Sequence, residues 1–102
     1  MPAYIARHPL TASRELGGEM IVIFARDSRL FTLNEAGGAI WKAADGATPV
    51  AAIVRDVLCA AFDVEDATAA ADLEQFVEDL VGQGILVASD QPIPLPQEGR
   101  LP

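Results

Sequence analysis

The side chains best suited to catalysis or metal binding in this 102-residue chain are one histidine, one cysteine and a series of carboxylates. A side-chain nucleophile needs a base within hydrogen-bond reach, and the pattern builds no such pair. His8 sits in "MPAYIARHPL", ahead of the first patterned segment, and Cys59 sits in the apolar run "VAAIVRDVLCAAF". A lone thiol at an apolar helical position reads as a small buried hydrophobe, and a single cysteine excludes an internal disulfide. No Cys/His group has the spacing of a zinc site. The acids between Asp63 and Asp79 do not have the spacing of a calcium loop. Glu78 and Asp79 are adjacent, so a helix points them to different sides. Gly17-Gly18 and Gly37-Gly38 match no phosphate-binding loop. The residues therefore point to a binding protein and not an enzyme, with no cofactor and no metal.

Charge narrows the class of partner. The net charge is −8, and beyond Lys42 the basic residues are Arg55 and Arg100. From Asp63 to Gly84 there are seven acids (Asp63, Glu65, Asp66, Asp72, Glu74, Glu78 and Asp79) and no Lys or Arg. Such a surface repels a phosphate backbone, so nucleic acid is a poor partner, and it attracts a basic peptide or protein. No apolar run approaches the roughly 20 residues that span a bilayer. The first residues lack the apolar stretch of a signal peptide. A cytoplasmic protein with no membrane partner is expected. A hydrophobic fraction of 51% and a mean hydropathy of +0.27 exclude disorder for most of the chain, which has the length of one domain.

The elements that must position a binding surface follow from periodicity. "SRELGGEMIVIFARDSRLFTL" reads as three strands joined by turns at Gly17-Gly18 and Asp27-Ser28. Met20 to Phe24 is the continuous apolar run of a central strand. In the third strand, residues 29–33, Phe31 and Leu33 share one face, and Leu30 and Thr32 the other. It is an edge if the strands form a meander, yet no Pro or Lys blunts it. Asn34 caps a first helix that reaches about Ala44, and Asp45-Gly46 ends it. The Gly37-Gly38 pair inside that helix implies close approach of another backbone, since each Gly costs about 1 kcal/mol against Ala. Thr48 and Pro49 open a second helix, with Val50, Ile53, Val54, Val57, Leu58 and Ala61 at apolar spacing. A third helix spans about 66–82, with Leu73, Phe76, Val77, Leu80 and Val81 as its apolar stripe. Asp72, Gln75, Asp79 and Gln83 flank that stripe beside Phe76. Gly84 stops the helix, and Ile85-Leu86-Val87 returns as a short extended segment. Residues 1–12 are expected as a flexible lead-in, 13–88 as the domain and the Pro-rich 89–102 as a flexible tail. The order defines an α+β class: a winged-helix-like, three-stranded antiparallel sheet followed by three α-helices.

"GGEMIVIF", "RLFTLNEAGGAIWKAADG", "TPVAAIVRDVLCAAFDVE" and "AADLEQFVEDLVGQGIL", in this order and spacing, resemble the PqqD-like family over about residues 13–87. The resemblance implies a module that binds the leader segment of a ribosomally made precursor peptide. It further implies presentation of that peptide to a modifying enzyme, such as the radical S-adenosylmethionine protein of coenzyme PQQ biosynthesis. In the family, the leader adds as a strand along the third strand, against the third helix. Carried onto this chain, that makes Arg29, Leu30, Phe31, Thr32 and Leu33 the docking edge, and Asp72, Gln75, Phe76 and Asp79 the opposite wall. If the two aspartates take part, the leader carries Lys or Arg beside its apolar anchors. Two other readings stay open at this point. One is a winged-helix regulator binding DNA, against which the charge speaks. The other is a general protein–protein adaptor or small homodimer, since an edge that recruits a peptide can also recruit its own copy.

Overall fold

Leu16 pairs with Glu19 across Gly17 and Gly18, whose φ values of +58° and +86° give the two-residue turn that matches strand twist. In the computed structural model, which describes residues 2–94, this turn joins β2 (Thr11–Leu16) to β3 (Glu19–Phe24). A second turn, with Ser28 at φ +60°, leads into β4 (Arg29–Leu33). The three strands form an antiparallel sheet in the order β2-β3-β4, so β4 is an edge. Met20, Val22 and Phe24 face inward and are buried, opposite Leu33, Phe31 and Arg29 respectively.

Three helices follow. Asn34 accepts the Gly37 N–H at 2.8 Å and caps α1 (Glu35–Ala43). The second helix, α2, has three parts: Val50–Ile53, a π-helical segment Val54–Cys59, and Ala60–Phe62. α3 (Asp66–Gln83) ends at Gly84, with φ +83°. The arrangement is the α+β fold that the sequence predicts. Ile40, Trp41, Val50, Ile53, Leu58, Leu73, Val77 and Leu80 join the inward face of β3 in one core.

Four local expectations need correction. The first is the lead-in, which is not loose. Tyr4–Arg7 forms β1, paired antiparallel with β5 (Leu86–Ser89), and Ile5 is fully buried. Arg7 also donates to the Trp41 and Lys42 carbonyls at the end of α1. The second is the start of the Pro-rich segment, which is tied down. Ile93 N–H donates to the Gly46 carbonyl at 2.8 Å, while Gly46 N–H donates to the Ile5 carbonyl. Residues 95–102 of the expected tail lie outside the described residues. Third, Thr48 does not cap α2. It belongs to the preceding turn, where Asp45 accepts the Ala47 N–H, the Thr48 N–H and the Thr48 hydroxyl. Pro49 takes the cap position. Fourth, Gly37 approaches side chains and not a backbone, while Gly38 comes near both the side chain and the backbone nitrogen of Met20. A Cβ on Gly38 would lie 3.2 Å from Met20 Cβ.

Burial pushes the Asp45 carboxyl up, but the Ala47 and Thr48 hydrogen bonds outweigh it, and its pKa falls below the ordinary value. The folded state therefore prefers the carboxylate. This contribution is present above the unfolded pKa of about 3.9 and is lost as pH falls through the lower folded value. Asp45→Ala should cost about 1–2 kcal/mol at neutral pH, read by urea unfolding. The gap between wild type and variant should shrink below about pH 4.

Candidate functional site

Among the described residues, no group of three or more His, Cys, Asp or Glu residues is placed to hold a metal ion. The Cys59 thiol donates to Asp66 Oδ1 at 3.1 Å. That bond pushes its pKa up, away from a reactive thiolate. His8 lies edge-on to Phe24 at 5.0 Å, and its Nδ1 accepts the Leu10 N–H. The histidine and cysteine thus have structural partners. No described helix is long and apolar enough to cross a membrane.

The two edges of the sheet differ. β2 is polar along its middle, with Ser13, Arg14 and Glu15, the guarded type of edge. β4 presents Leu30, Phe31 and Thr32, three residues that favour strands or tolerate them well. Leu30 is 60% exposed and Thr32 is exposed on the outer face. Phe31 is half-buried and Leu33 buried on the inner face. No described strand pairs with the outer side of β4, so backbone groups along it are left for another partner.

α3 meets this edge directly at one end and across Gly37 at the other. At one end, Phe76 and Leu33 converge on Gly37. A Cβ there would lie 3.0 Å from the Phe76 ring and 3.3 Å from Leu33 Cβ. At the other end, the Arg29 guanidinium reaches Gln83. Nη1 donates to Oε1 at 2.9 Å and Nη2 to the backbone carbonyl at 2.7 Å. Phe76 to Gln83 is about 10 Å along a helix, and Leu33 to Arg29 about 13 Å along a strand. The helix therefore runs antiparallel to β4, with its end contacts in step. Asp72, Phe76, Asp79 and Gln83 are spaced by four, three and four residues, one line along the helix. Phe76 is half-buried, while Asp72, Gln75 and Asp79 are exposed, with Gln75 donating to Asp79 Oδ1 at 3.0 Å.

The structure thus brings Leu33 and Phe76 to Gly37, puts Phe31 on the same inner face of β4 as Leu33, and leaves Asp72, Gln75 and Asp79 exposed on the helix of Phe76. It puts Leu30 and Thr32 on the opposite face of the sheet. Arg29 is more than an edge residue. It contacts Asp27 at 2.6 Å, and its Cζ lies 5.3 Å from the Phe31 ring centre and 5.5 Å from that of Phe24. Two residues escaped the predicted set. Gln83 shows no more than its place on the polar flank. Gly37 carried a signal, the cost of a helical glycine, but that signal did not name Phe76 as the neighbour.

A three-stranded antiparallel sheet backed by three helices, with one open edge flanked by the last helix, defines a winged-helix-like α+β domain. The family model for coenzyme PQQ synthesis protein D (PqqD) matches residues 19–86, and the chain belongs to that family. A solved structure described as TbiB1 in complex with the TbiA(beta) leader peptide shares the fold, with a TM-score of 0.72. The match covers 79% of this chain and 93% of that one at 23% identity. No curated protein matches the chain.

Gly37→Ala should destabilise the protein by about 1–3 kcal/mol through overpacking against Phe76 and Leu33. Gly82, in the same helix as Phe76, has open space where a Cβ would go. Gly82→Ala should stabilise by about 0.4–1 kcal/mol. Thermal unfolding of the two variants beside wild type checks the opposite signs.

Proposed function

We propose that this chain is a non-catalytic recognition module that binds the leader segment of a ribosomally made precursor peptide. The leader adds as a fourth strand along Arg29–Leu33 and is presented to a modifying enzyme, such as a radical S-adenosylmethionine protein. The observation that carries this reading is the open β4 edge, free of blunting residues along its middle and flanked by a helix that is bonded to Arg29. Main-chain hydrogen bonds supply affinity in such an arrangement, and alternate side chains supply specificity. Inward side chains of the leader would pack by Phe31, Leu33 and Phe76. The similar TbiB1 structure is a complex with a leader peptide, which supports a leader as the ligand here.

Electrostatics give the ligand its sign. Asp72 and Asp79 are exposed on the helix of Phe76, on a segment with no basic residue, so a leader with Lys or Arg next to its apolar anchors fits best. The DNA-binding alternative gains nothing. Arg55, the basic residue of the second helix, is already within 3.1 Å of Asp56.

An amide NMR titration with a synthetic leader, taken from the precursor encoded nearest this chain's gene, should move signals of residues 29–33 and 72–80. A titration that moves neither group rejects this docking mode. Asp72→Asn with Asp79→Asn should weaken a Lys/Arg-bearing leader by about threefold to tenfold at low salt. The difference should shrink near 1 M salt, where the Debye length is about 3 Å.

A further inference from the structure

A strand edge repeats every two residues. A bound strand that slips by one residue turns its side chains to the wrong face, and packing rejects it. A slip of two residues, about 7 Å, keeps every side chain on its proper face and preserves the hydrogen-bond pattern. An edge as uniform as Leu30-Phe31-Thr32 does not by itself discriminate against that slip. Some feature at one end must.

Arg29 is that feature on the inner face. It lies opposite Phe24, in line with Phe31 and Leu33. All three guanidinium nitrogens are engaged: Nε with Asp27, Nη1 and Nη2 with Gln83. The plane of the group is backed by the Phe24 and Phe31 rings. A fork held at this many points is rigid in a way that a lysine is not. An apolar anchor opposite Phe31 or Leu33 meets aromatic and aliphatic surface. The same anchor moved two residues on meets a charged plane already bonded to α3.

Resting on the strand-addition reading above, we infer that Arg29, through its contact with Gln83, is a positioning residue that fixes the register of the bound strand. It closes one end of the edge, so a single pairing is selected from those two residues apart. At the other end the edge stops at Leu33, because Asn34 caps α1 there.

The test uses the whole chain, as wild type, Arg29→Ala and Arg29→Lys, with the synthetic leader carrying a nitroxide at one end. Paramagnetic loss of amide signal reads the register directly. In wild type the relaxation of β4 amides should fall steeply from one end of residues 29–33 to the other. Both variants should flatten that gradient, as strands slipped by two residues join the first, while overall affinity falls less than tenfold. Arg29→Lys keeps the charge and the stem, so it answers the question even if Arg29→Ala unfolds. A wild-type gradient that persists in a folded variant overturns the inference and leaves strand addition standing. A wild type that binds the labelled leader without any loss at β4 overturns both.

Discussion

Phe76 of α3 and Leu33 of β4 both close on α1 because residue 37 has no side chain. Asn34 Oδ1, Leu33 Cβ and the Phe76 ring edge all lie within 3.3 Å of the point where a Cβ would stand. One missing methyl group thus joins three events: the cap of α1, the end of β4 and the seating of α3. The cost of a glycine inside a helix is about 1 kcal/mol. Here it is offset by the close approach of the Phe76 ring, which seats α3 on α1 at one end of the candidate site. Gly38 repeats the device one residue later against Met20, and so seats α1 on the central strand.

Local signals were enough for the sheet and the helices. The Gly-Gly turn, the apolar run of β3, the alternation in β4 and the Asn34 cap are short-range features that lie within a few residues of what they determine. The parts that were not legible depend on distant partners. Tyr4–Arg7 is only four residues long, shows no alternation and acquires its strand identity from Leu86–Ser89, at the other end of the described chain. The Arg29–Gln83 contact spans 54 residues. The π-helical segment in α2 was hidden for a different reason, because the i, i+3, i+4 spacing of apolar residues does not report the hydrogen-bond step. In the candidate site, the two faces of β4 were readable from period two, and the line through Asp72, Phe76 and Asp79 from the helical period. What joins strand to helix was not.

The charge distribution follows the same division. Exposed carboxylates occupy the solvent side of α3, while Leu73, Val77 and Leu80 fill its inner side. The outer face of the sheet is different in kind. Leu16, Ile23 and Leu30 are all more than 40% exposed there, and Ile23 stands opposite Leu30. One side of the open edge is therefore lined by apolar outer-face residues, and the other by a helix bearing negative charge.

The pairing of β1 with β5 has a consequence for how such a domain can be joined to other proteins. Tyr4 lies opposite Ser89, and Ile93 is bonded to Gly46, itself bonded to Ile5, so both ends of the described fold run beside β1, in a two-stranded sheet separate from the one that carries β4. A tether attached at either end would start near β1, in a sheet whose strands do not pair with β4. Gene order then matters little: fused ahead of an enzyme or behind it, the domain would hold its edge at a similar effective concentration, set by tether length alone.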